Sequence, residues 1–102
     1  MTTDLTEDWT TADAQALFWA FASLRNESEA GAFLRDLCTR QEIEEMIGRW
    51  RVARLLDEAI PYREIHERTG VSTATITRIN QWLRHGTGGY RMLLDRSSRR
   101  RR

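Results

Sequence analysis

The chain has 102 residues, 40% hydrophobic and 30% charged, with a formal net charge of +1, which fits one small domain whose monomer buries only a modest core. The charge is sorted along the chain: residues 1–45 hold ten acids and three arginines, net −7, whereas residues 46–102 hold thirteen arginines and five acids, net +8, so the C-terminal half is the one suited to a polyanion. A single cysteine, Cys38, excludes an internal disulfide and gives no zinc pattern, and no apolar run approaches membrane-spanning length; with no signal peptide ahead of the fold, a reducing, cytoplasmic location is expected.

In chain order, residues 1–10 read as a flexible polar N-terminus, residues 11–96 as the folded domain and residues 97–102 as a basic flexible tail. The first helix is expected from Thr10 or Thr11 to about Arg25, with Asp13 at its positive end. Its Leu17, Phe18, Trp19, Phe21 and Leu24 spread over more than one face. A helix apolar over most of its circumference must be covered on several sides, and a second subunit would supply that cover. Asn26 to Ser28 interrupt the chain, and Glu29 to Leu37 form a short helix with Phe33, Leu34 and Leu37 inward. Thr39 and Glu42 have the spacing of a capping box. The helix they open is expected to reach about Glu58, with Ile43, Met46, Ile47, Trp50, Ala53 and Leu55 or Leu56 on its apolar stripe. Pro61 fits the first turn of the next helix, where its missing N–H is harmless. No strand and no repeat is visible, so the fold class is all-α.

Tyr62 to Arg84 read as two short helices about a tight glycine turn, a helix-turn-helix. Ile65 faces the core and Gly70 supplies the positive φ that ends the first helix. Val71 re-enters the core, Ser72 caps the second helix, and Ile76, Ile79 and Leu83 form its buried stripe. The opposite stripe carries Ala74, Thr77, Arg78, Gln81 and Arg84. An ordinary helical hairpin has the same spacing, but Ser72 to His85 contains no acid, and an acid-free helix surface suits phosphate. His66 stands four before the glycine, where a small residue gives close helix contact; it either splays the helices or lies outward. Gly86, Gly88 and Gly89 then end the second helix. A last short helix is expected over Tyr90 to Arg96, with Met92 and Leu93 apolar. All sixteen basic residues are arginine, which genome base composition explains better than selection for bidentate contacts.

Other function classes fit less well. An enzyme needs convergent groups, and nothing in the spacing brings Cys38 together with His66 or His85. No enzyme activity, metal or cofactor is therefore expected. The alternative is a protein–protein interaction module built on the same helices, with Trp9 or Trp19 as anchors.

Several stretches taken together resemble the Trp repressor superfamily, specifically its Trp-repressor-related branch. Ala74-Thr75-Ile76-Thr77-Arg78 is similar to the segment that opens the repressor's recognition helix. Phe33 to Thr39, Val52 to Leu56, Tyr62 to Ile65, Ser72 to Ile76 and the Gly86 to Tyr90 stretch resemble the related branch in the same order, over about residues 13–96. The resemblance implies an all-helical, intertwined homodimer that binds double-stranded operator DNA and regulates transcription, as a repressor if the family name carries over. It does not bring the tryptophan corepressor with it. Arg78 matches a pocket arginine, but Ile79 stands where the repressor has glycine and Trp82 where it has a small residue. Arg49 corresponds to a second pocket arginine only with a one-residue shift. The effector is unknown.

On this reading the two recognition helices of a dimer enter successive major grooves about 34 Å apart. Thr77, Arg78 and Gln81 read base edges, and Ala74 meets a thymine methyl. Ser72, Thr73 and the helix N-terminus hold phosphate, helped by Arg63, Arg68 and Arg84. Arg78 has a competing role lining an altered ligand pocket; DNA contact is favoured. The arginine run at residues 99–102 is either a phosphate grip or a solubilising end.

Overall fold

The computed structural model describes residues 9–100, and among them it has six helices and no strand. These are α1 (Ala12–Ala22), α2 (Glu27–Leu37), α3 (Arg40–Asp57), α4 (Tyr62–Thr69), α5 (Thr73–His85) and α6 (Gly89–Arg100). None of them is long and apolar enough to cross a membrane. The chain divides into two compact units, one up to Arg40 and one from Gln41.

In the first unit, Thr11 caps α1 by accepting the Ala14 N–H at 3.1 Å, with Asp13 in the first turn. The helix stops at Ala22 rather than about Arg25. Ser23 ends it by turning both its N–H and its hydroxyl back onto the Trp19 carbonyl, at 3.0 and 2.9 Å. Helix α2 starts at Glu27, two residues earlier than its pattern predicts, because Asn26 acts as the cap and accepts the Glu29 N–H at 2.9 Å. The Glu29 carboxylate in turn accepts the Arg25 N–H at 3.0 Å, a variant of reciprocal capping. Phe21 and Phe33 meet edge to face at 5.4 Å, and Trp9 and Phe18 lie 5.9 Å apart. Yet neither helix holds a buried residue. Phe33 and Leu34 are half-buried as expected of inward positions, but Leu37 is exposed.

The second unit holds all nine buried hydrophobics among the described residues, from Val52, Ala53, Leu55 and Leu56 on α3 to Leu94 on α6. Both Leu55 and Leu56 are buried, whereas Ile47, placed on the same stripe by periodicity, is 62% exposed. Helix α3 ends in a Schellman arrangement: the Ile60 N–H reaches the Leu55 carbonyl and the Ala59 N–H that of Leu56. Ala59 sits at φ 63° to allow this, a conformation that a Cβ makes costly. Pro61 is the residue before α4, not within its first turn.

Helix α6 runs to Arg100, four residues beyond the expected end, so Ser97 to Arg100, placed in the basic tail by the sequence, are helical. Leu94 anchors it in the core, and arginines in its last turn suit the negative end of the helix. Residues 1–8 and 101–102, on which parts of the expected flexible ends fall, lie outside the described residues. Trp9 and Thr10 form a turn whose Trp9 carbonyl accepts from the Gln15 amide at 2.8 Å.

Candidate nucleic-acid interface

The helix-turn-helix is α4, a turn at Gly70 and Val71, and α5. Gly70 has φ 75° and its N–H closes onto the His66 carbonyl at 2.8 Å. Val71 follows with its N–H on the Thr69 hydroxyl at 3.1 Å, while that hydroxyl donates to the Ile65 carbonyl at 2.7 Å. Ser72 caps α5 as its sequence position predicts, accepting the Thr75 N–H at 3.2 Å. Ile76, Ile79 and Leu83 are buried on one side of α5, fixing the helix to the core by a 3.6-residue stripe. The opposite side then has to face outward.

Ser72, Thr73, Ala74, Thr77, Arg78, Gln81 and Arg84 are all exposed, so one face of α5 gathers seven of the nine residues selected from the sequence. Thr77 donates its hydroxyl to the Thr73 carbonyl at 2.9 Å, which leaves its oxygen lone pairs outward as acceptors. Arg84 bonds the Asn80 side-chain oxygen at 3.2 Å and Arg78 the Thr75 hydroxyl at 2.9 Å. Both partners are neutral, so each guanidinium keeps its full charge.

Arg63 and Arg68 are separated from this group. They lie on α4, where Arg63 stands 3.7 Å from Glu67 and Arg68 is paired with Glu64. The i,i+4 spacing of both pairs is written in the sequence. Contact with a phosphate would require each arginine to leave or share its carboxylate.

Alongside α5 an open groove of about 1260 Å³ is lined by α3, α5 and the start of α6, including Glu45, Arg49, Thr75, Arg78, Trp82 and Tyr90. Arg78, drawn back onto Thr75, therefore borders the groove as well as the outer face. Ile79 points its side chain into the core, at 3% exposure, and Trp82 stays half-exposed at the groove edge. Trp50 stacks on Tyr90 with ring centres 6.2 Å apart and planes 12° from parallel. Burial raises the Tyr90 phenol above its usual pKa, against a smaller opposing pull from the Arg49 charge. The elbow after α5 needs glycine at 86, where a Cβ would stand 2.4 Å from the Trp82 carbonyl oxygen.

Sequence reasoning missed Thr75 as the hydroxyl that orients Arg78, and Asn80 as the partner of Arg84. Both follow from i,i+3 and i,i+4 spacing on a helix. It also left His66 undecided; the structure has the ring outward, with Nδ1 at 2.8 Å from the Val71 carbonyl oxygen.

Two short helices about a glycine turn, with an acid-free outer face on the second, have the arrangement of a helix-turn-helix. Known proteins narrow this further. The profile of the Trp repressor protein family matches residues 12–98. The uncharacterized protein YerC of Bacillus subtilis (strain 168) is 44% identical over 80 residues, 78% of this chain and 77% of that one. A TrpR-like protein from Eubacterium eligens ATCC 27750 has a crystal structure similar at TM-score 0.84 and 39% identity, over 90% of this chain and 95% of that one. A candidate Trp repressor from Staphylococcus aureus gives the same TM-score at 35% identity, over 95% and 96%. The chain belongs to the Trp repressor family, in its YerC-type branch. That family is one of DNA-binding regulators and not of enzymes.

Proposed function

We propose that the protein is a sequence-specific transcriptional repressor that reads a palindromic operator through α5 as a homodimer, without L-tryptophan as corepressor. One observation carries the reading: the outward face of α5 holds no acid, and its two arginines bond only neutral oxygens. Such a face gains from releasing counterions at a phosphate backbone. Thr77, Arg78 and Gln81 then read base edges while Ala74 approaches a thymine methyl. Ser72, Thr73 and Arg84 hold phosphate, and Arg63 and Arg68 join them by exchanging glutamate for phosphate oxygen. The exposed aromatics of the first unit, Trp19 at 71% among them, support the homodimer. Trp82, half-exposed at the edge of the groove, takes up space that an indole beside the recognition helix would need.

Selection from random duplexes should return a rough palindrome whose affinity falls steeply with salt. Arg78→Ala should weaken that site by about 1–3 kcal/mol with little effect on random DNA, while Arg84→Ala weakens both and flattens the salt slope. Equal losses on selected and random duplexes from both variants would reject the division of labour. No salt-sensitive binding to any duplex, with Trp19→Ala abolishing capture of a second protein, would favour the interaction module instead. Micromolar L-tryptophan binding by calorimetry would overturn the corepressor statement.

A further inference from the structure

We infer that His66 is a positioning residue for DNA recognition: its imidazole latches the turn of the helix-turn-helix and so sets the angle at which α5 is presented. The inference rests on the DNA-reading role proposed above. A carbonyl oxygen can only accept, so at 2.8 Å from the Val71 oxygen the Nδ1 atom of His66 carries the proton. That bond leaves from α4 four residues before Gly70 and lands one residue after it. It therefore spans the one backbone position in the turn at positive φ.

Burial of Ile65, Ile76, Ile79 and Leu83, with Val71 packed against them, seats both helices on the core, and the turn backbone between them adds only a few bonds of its own. A Cβ built on Gly70 would meet nothing within 4 Å, so the glycine itself is not packed. The other hydrogen bonds in the turn are the Gly70 N–H on the His66 carbonyl and the Thr69 hydroxyl between Ile65 and Val71. These fix how α4 ends and where the Val71 N–H goes. Only the His66 bond fixes the Val71 carbonyl, the last peptide before the Ser72 cap, among the bonds found in this turn. Leverage makes the angle matter. From Val71 to Arg84 a helix rises about 20 Å, so a tilt of 10° at the turn displaces the far end by about 3 Å. Base-edge hydrogen bonds tolerate far less than that. Flexible arginine–phosphate contacts tolerate it well, because a long side chain follows the backbone. Loss of the latch should therefore cost discrimination before it costs general affinity.

The test compares variants on the duplex selected by the wild-type protein and on random duplex. His66→Ala should bind the selected duplex about tenfold more weakly, the upper range for one neutral hydrogen bond, and random duplex within about twofold of wild type. His66→Asn places an amide nitrogen near the former Nδ1 and should recover most of the loss. His66→Gln places it near the former Nε2 and should not. Nitrogen-15 spectra of the imidazole should show the proton on Nδ1 in the neutral ring. Unchanged discrimination in His66→Ala, equal behaviour of the Asn and Gln variants, or a proton on Nε2 would each overturn the assignment. If wild type prefers no duplex, the DNA reading itself fails and takes the recognition role with it; the Nδ1 proton would then show that the turn latch exists without that use.

Discussion

The segment up to Arg40 and the segment from Gln41 spend their apolar residues in opposite ways. The first carries Trp9, Leu17, Phe18, Trp19 and Phe21, all exposed, and neither of its helices holds a fully buried residue. The second also exposes large side chains, Ile47, Trp82, Met92 and Leu93 among them, but it holds nine aliphatic residues nearly out of contact with water. Large side chains exposed together, with no buried residue beneath them, mark a surface that a partner can cover. Stability thus resides in the second segment, and the first holds the surface with which the proposed homodimer would be made.

Ile65, at 0% exposure, stands at the centre of the better-packed segment. Ile65→Ala should lower stability by about 2–5 kcal/mol, measured as a shift in the urea midpoint; a much smaller loss would mean that this segment is not the stable half. Trp19→Ala should act differently, leaving the helical content of the second segment intact while weakening self-association by about 2 kcal/mol, as interface tryptophans do. Sedimentation equilibrium that gives the same association constant for both chains would remove Trp19 from the interface. Ala59→Gly sharpens the contrast from the other side. It should add about 1 kcal/mol of stability by relieving the positive φ at the end of α3, seen as a raised melting temperature. The smallest effect is at Tyr90. Its folded-state pKa is raised, so the folded protein holds the phenol proton more tightly and stability falls as pH climbs from the ordinary tyrosine value, about 10, through the raised one. Tyr90→Phe should flatten that alkaline decline in denaturation curves taken above neutral pH.

Strong local chemistry made much of this legible in the sequence. The Ser72 cap, the Gly70 turn and the Ile76, Ile79, Leu83 stripe stand where propensity and period put them, because all three depend on neighbours within one or two turns. Helix ends were misplaced where a side chain outside the apolar pattern decided them. Ser23 stopped α1 early, and Asn26 started α2 early. Helix α6 outran its pattern over Ser97 to Arg100, a stretch with no apolar residue for a period to register. Period alone puts Ile47 and Leu37 inward, yet both are exposed, because a period cannot tell a core from an uncovered face. At the interface, the identity of the exposed residues was readable from α5 itself. Their hydrogen-bond partners were not read, although Thr75 and Asn80 stand one helical turn away.

Arg91 on α6 donates to the Asp57 carboxylate at 2.7 Å across 34 residues of chain, and its guanidinium is held more firmly protonated by that bond first and by Asp95 second. The whole stretch that carries α4, the turn and α5 lies between the two ends of this contact, like a strap fastened by one ionic buckle. Both groups are open to water, so the fastening is weak and salt loosens it. Ionic strength should therefore weaken the closing bond of this loop while leaving its buried aliphatic anchors untouched.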